Sequence, residues 1–159
     1  MTAVTEILSR FAANLRFEDL PAEVVDRTKL LFMDLSGIIV RSLELDSTQV
    51  LMESLKDLNL DQGALQVLGS TERWRPQAAA LITGAAAHSL DFDDTHAAAQ
   101  LHPGAPIIPA ALAAAQMQGA STRDLIVAIV AGYEVMIRVA YGVTVLRHSE
   151  RGFHPSATV

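Results

Sequence analysis

Two alanine-rich runs, AAALITGAAA at 78–87 and AALAAA at 110–115, constrain this chain more than any other feature. Alanine carries little side-chain entropy into a helix and lets backbones approach closely, so segments of this kind predict tightly packed helices rather than a β-sandwich. The rest of the chain agrees. Half of its residues are hydrophobic but only 5% are aromatic, and the mean hydropathy is +0.28. A chain of 159 residues is long enough for one core, so the expected fold is all-α, a bundle-like helical domain over residues 1–159.

Periodicity places the elements. Ile7, Leu8, Phe11, Ala12 and Leu15 recur at helical spacing before Pro21. Pro21 opens a second helix to about Val40, with Val24, Thr28, Leu31, Leu35 and Ile38 on its apolar face. Asp46 or Ser47 caps a third, burying Leu51, Leu55 and Leu58. Residues Ala64 to Leu68 form a brief extended segment. A helix from Gln77 to Asp94 then carries an acidic cluster at its C-terminal end, and Pro103, Gly104 and Pro106 force a loop. A small-residue helix runs from Pro106 to Gln118. Ser121 and Asp124 make a capping box for a last helix to about Leu146. Its stretch Leu125–Ala131 is apolar all round and is expected at the centre, with Glu134 and Arg138 as an internal ion pair.

Charge and cysteine usage exclude several classes. The net charge of −6 and scattered basic residues leave no footprint for nucleic acid. The absence of cysteine removes thiolate metal sites and thiol chemistry, and fits a cytoplasmic chain. The N-terminus lacks a signal-peptide pattern, and no uninterrupted apolar run reaches the roughly 18 residues of a span, so no membrane association is expected.

Chemistry concentrates in HSLDFDDTH at 88–96 and LHPG at 101–104. On a continuing helix His88, Asp91 and Thr95 share a face, Asp93 points away and Asp94 lies to the side. Carboxylate, hydroxyl and imidazole then lie within reach of one another, as general acid–base chemistry requires. The alternative for these aspartates is loop capping. His102 and His154, each followed by proline, are loop imidazoles able to exchange a proton near neutral pH. His96 and His148 have weaker claims. Asp91-Phe92-Asp93-Asp94-Thr95 also fits the D-x-D-x-T string of aspartyl phosphatases, but that motif needs a preceding strand in a parallel sheet, which a helical AAALITGAAA cannot provide. A metal cluster of Asp91, Asp94, His96 and His102 matches no compact ligand spacing, so no metal or cofactor is expected.

HSLDFDDTH with LHPGAPIIPAALAAA, then GYEVMIRVA and GFHPSATV, resembles the MmgE/PrpD family, which includes 2-methylcitrate dehydratase, cis-aconitate decarboxylase and iminodisuccinate epimerase. The resemblance implies the N-terminal part of an all-helical domain that continues further and joins a smaller α+β lid, so the chain reads as truncated. It implies a cofactor-independent lyase moving protons beside a carboxylate of a small di- or tricarboxylate, and a homodimer. Carried over by motif, Asp91, Thr95, His102 and His154 are its catalytic residues. Lysines from the later half complete the family's site, and Ile82 to Gly119 holds no Lys or Arg to replace them. Loss of water is the first expectation for the reaction. Decarboxylation, epimerisation or an inert helical dimerisation module are the alternatives.

Overall fold

The computed structural model describes residues 3–142, 148 and 150–158. Helix α1 spans Val4–Asn14, α2 Ala22–Ser42 and α3 Asp46–Asp57; a two-residue antiparallel hairpin, β1 Leu65–Gln66 with β2 Arg73–Trp74, precedes α4, Pro76–His88. Helix α5 covers Gly104–Gln118 and α6 Thr122–Gly142, and a last helical turn, Pro155–Thr158, closes the described chain. The all-α expectation holds, with β1 inside the segment expected to be extended. The predicted end of α6 at Leu146 lies outside the described residues.

The core gathers where α2, α3, α4 and α5 meet the hairpin. Leu35, Ile39, Val67, Trp74, Ile82 and Ile108 are at most 1% exposed. Small residues make this possible: a Cβ at Gly84 would sit against the carbonyl of Ala105 and the ring of Pro109, so α4 and α5 pack nearly backbone to backbone. Pro106 falls in the first turn of α5, where its missing N–H costs nothing, so the helix starts two residues earlier than the prolines suggested.

Several faces turn relative to the sequence expectation. Helix α2 buries Val25, Thr28, Leu35, Ile39 and Ser42, while Val24, Leu31 and Ile38 are only half-buried. In α3, Met52 and Thr48 join Leu55 inside and Leu58 is exposed. The correction to α6 is larger. It is 21 residues long, with a mean hydropathy of 1.7 over its most apolar window, enough by length and composition to cross a membrane; only 28% of that window is buried. It is a partly exposed helix, contacting α1, α2 and α5, with Ile126, Ile129, Ala131, Met136 and Ala140 inward. The Glu134–Arg138 pair forms, at 2.6 Å, but at the surface. The capping box forms as expected: Asp124 Oδ2 accepts from the Ser121 N–H at 3.1 Å, and Ser121 Oγ accepts from the Asp124 N–H at 3.2 Å.

Candidate active site

The expected helix to Asp94 stops six residues early. Helix α4 ends at His88, Ser89 and Leu90 turn, and Asp91 takes a left-handed conformation with φ 54°. Aspartate tolerates that region better than most residues, and it reverses the chain. His88, Asp91 and Thr95 therefore share no helical face.

The reversal brings Asp93 inward rather than away. Its side chain is fully buried, and Oδ1 lies 2.8 Å from His88 Nδ1. Its other oxygen, Oδ2, is 3.5 Å from His102 Nδ1, and neither of these two buried atoms makes a hydrogen bond among the described residues. One carboxylate thus sits between two imidazoles whose rings meet edge-on at 4.8 Å. No lysine or arginine is paired with it among the described residues. A buried carboxyl group needs polar partners, and here the two imidazoles stand on either side of it, His88 within hydrogen-bond distance.

His102 is placed by the loop before it and by a distant serine. Residues His96 and Leu101 close a small loop through paired backbone hydrogen bonds, His96 N–H to the Leu101 carbonyl at 2.8 Å and the reverse at 3.4 Å. His102 follows directly, and its backbone N–H donates to Ser156 Oγ at 2.8 Å. That bond holds the segment around His154 beside the site, and the His154 ring centre lies 5.9 Å from that of His102. His88, His102, His154 and Ser156 then line an open cleft of about 490 Å³ together with apolar residues of α4 and α5. No Lys or Arg is among its described lining residues.

Of the four residues singled out from sequence, Asp91, His102 and His154 converge here. Asp91 offers an oxygen to the cluster, since one ligand atom each of His88, Asp91, Asp93 and His102 lie within 4.8 Å of one another. Thr95 is exposed and outside the lining of the cleft. His96 accepts the Ala99 N–H through Nδ1 at 3.2 Å and supports the loop instead. Asp93, which sequence reasoning pointed away, and His88, which it placed on the polar face but not among the catalytic residues, complete the cluster. The available signal was His88 at a helix end five residues before Asp93, a spacing that a chain reversal closes and a helix opens.

Asp94 anchors the floor. It accepts the Tyr133 hydroxyl of α6 at 3.1 Å and a backbone hydrogen bond from Gly104 at the start of α5. A Cβ at Gly104 would overlap the Asp94 carboxylate and meet the Tyr133 hydroxyl at 2.9 Å, so this junction requires glycine. Burial pushes the Asp94 carboxyl above its ordinary range, the hydrogen bonds from Tyr133 and Gly104 oppose that, and the neighbouring Asp93 charge reinforces it. Burial also pushes the Tyr133 hydroxyl well up, helped by the charge of Asp94. Because the folded protein holds this proton more tightly than the unfolded chain, the associated stability is fully present below the ordinary carboxylate range and lost as pH rises through the raised value. Asp94→Asn is neutral throughout. The melting temperature of the variant minus that of the wild type should therefore become more positive from about pH 3 to about pH 7.

The MmgE/PrpD N-terminal domain family model matches residues 6–159. The cis-aconitate decarboxylase-like protein oryM of Aspergillus oryzae is 32% identical over 161 residues, which cover 95% of this chain and 33% of that protein. The cis-aconitate decarboxylase of Aspergillus terreus is 27% identical over 98% of this chain and 33% of its own length, and that of Homo sapiens 26% over 100% and 34%. The chain thus spans about a third of the length of the curated relatives it matches.

Proposed function

The chain belongs to the MmgE/PrpD family, and we propose that it carries the imidazole–carboxylate part of a lyase site that decarboxylates a cis-aconitate-like tricarboxylate. One observation carries the reading: the buried Asp93 carboxylate holds His88 and His102 at the mouth of a cleft that His154 also lines. The names of the relatives favour decarboxylation over the loss of water expected from sequence.

In this reading the substrate's apolar backbone lies against the α4 wall and its reacting carbon faces His102. The carbon–carbon bond to one carboxylate breaks, carbon dioxide leaves, and the electron pair left on the carbon skeleton takes a proton from the His102 imidazolium. Asp93 stabilises the imidazolium before transfer and keeps one nitrogen directed at the cleft. His154 moves the replacement proton in from solvent. Asp91, beside the imidazole cluster, and Thr95 are assigned to the site on their motif. A tricarboxylate needs cationic partners, and the described lining contains none.

The test is product analysis with the protein as expressed from its gene, incubated with cis-aconitate and, separately, with 2-methylcitrate. Release of carbon dioxide from cis-aconitate in proportion to enzyme is the expected result. An unsaturated tricarboxylate formed from 2-methylcitrate without carbon dioxide would replace decarboxylation with dehydration. Turnover of neither would overturn the lyase reading.

A further inference from the structure

The cluster that holds the imidazoles is also a ligand set. We propose that His88, Asp91, Asp93 and His102 bind a divalent transition-metal ion, Zn²⁺ being the best match, and that the ion shuts the site by occupying its proton-carrying groups. The metal binding stands on geometry alone; its inhibitory consequence rests on the lyase reading.

Two imidazoles and two carboxylates are donors suited to Zn²⁺, Mn²⁺ or Co²⁺, and poorly suited to Mg²⁺, which prefers oxygen and retains its water. Four ligands each about 2.1 Å from a tetrahedral ion lie about 3.4 Å from one another. Asp93 Oδ2 and His102 Nδ1, 3.5 Å apart, already match that spacing, and one donor atom from each of the four residues lies within 4.8 Å of the others, so a movement of up to about 1.4 Å by the exposed His88 and Asp91 side chains would close the set. Two further observations point inward. Asp93 Oδ2 and His102 Nδ1 are buried, 3.5 Å apart, and make no hydrogen bond among the described residues, leaving a donor pair that an ion between them would satisfy. His88 and Asp91 close the outer side and are exposed, which provides an entry path. Charge supports the same assignment: two carboxylates meet two imidazoles here with no lysine or arginine paired to the buried one, so a dication neutralises the cluster without any imidazole being protonated.

Calorimetric titration of the purified protein with Zn²⁺ is expected to give one saturable site, with no competition from Mg²⁺. His88→Gln and Asp91→Asn, both at exposed positions that leave the core untouched, should each weaken Zn²⁺ at least about tenfold, with melting curves confirming the fold. In parallel, Zn²⁺ should suppress turnover and a chelator should restore it. Absence of a saturable site in the wild type, or wild-type affinity in either variant, would overturn the proposal. A saturable site that His88 and Asp91 both weaken, on a protein without lyase turnover, would sustain the metal site and remove the lyase reading, so the two fail separately.

Discussion

Replacing His102 with glutamine should lower turnover by roughly 10²- to 10⁴-fold while the protein still melts cooperatively near the wild-type temperature. Glutamine retains the backbone N–H that donates to Ser156, so the contact that holds Ser156 and the neighbouring His154 in place survives. What disappears is a group able to hold and release a proton beside Asp93. The side chain of His102 is only 19% exposed, so bulk water is a poor substitute at that position. The loss should fall on kcat rather than KM, because the substrate's carboxylates are bound by other groups. A variant within about tenfold of wild type would remove His102 from the role of proton carrier and transfer the assignment to His154. Asp93→Asn gives the complementary readout. It preserves volume but removes the charge between the two imidazoles, so it should reduce kcat and alter the pH profile, which a purely structural residue would not do.

Trp74→Ala should destabilise the protein by about 3–5 kcal/mol, the range for deleting a large buried aromatic side chain. For a chain of this size that corresponds to a melting temperature lower by roughly 6–20 °C. Trp74 is fully buried and pairs with Leu65 across the hairpin, so it joins β1 and β2 to the core formed by α2, α3 and α4. Its ring lies 5.8 Å beneath the Lys56 ammonium, which Glu72 holds by an ion pair of 2.7 Å. Its indole N–H is buried without a hydrogen-bond partner among the described residues. Trp74→Phe should therefore cost clearly less than Trp74→Ala, because phenylalanine keeps much of the packing and removes the unsatisfied donor. Equal losses in the two variants would mean that the indole N–H has a partner and that packing is not the main contribution. Denaturant melts of the three proteins distinguish these outcomes.

Helices were legible in this sequence because the signals that make them act over a few residues. The Ser121–Asp124 box and the left-handed Gly119 after α5 operate within one turn and mark helix boundaries in the structure, whereas alanine density and apolar spacing placed the helices but not the end of α4 or the buried faces of α2 and α3. The acidic cluster and its His-Pro dipeptides were legible as a concentration of polar groups beside alanine-rich helices. The assignment of individual side chains was not. Asp93 and Asp91 differ by two positions in DFDD, and only the chain reversal at Asp91 turns Asp93 inward and leaves Asp91 exposed.

Long-range packing decided the rest. His154 comes beside His102 because Ser156 accepts a hydrogen bond across 54 positions of sequence, and Trp74 finds its place only when the hairpin closes on Leu65. The exposure of α6 follows the same logic, since its composition describes an apolar surface but not what lies against it. The sequence by itself determined the helices, the loop between α4 and α5, and the residue types available for proton transfer. The tertiary structure chose which carboxylate stands between the imidazoles, because that depends on where a helix stops and which distant segment packs over it, and these are energies shared among many residues rather than preferences of any one.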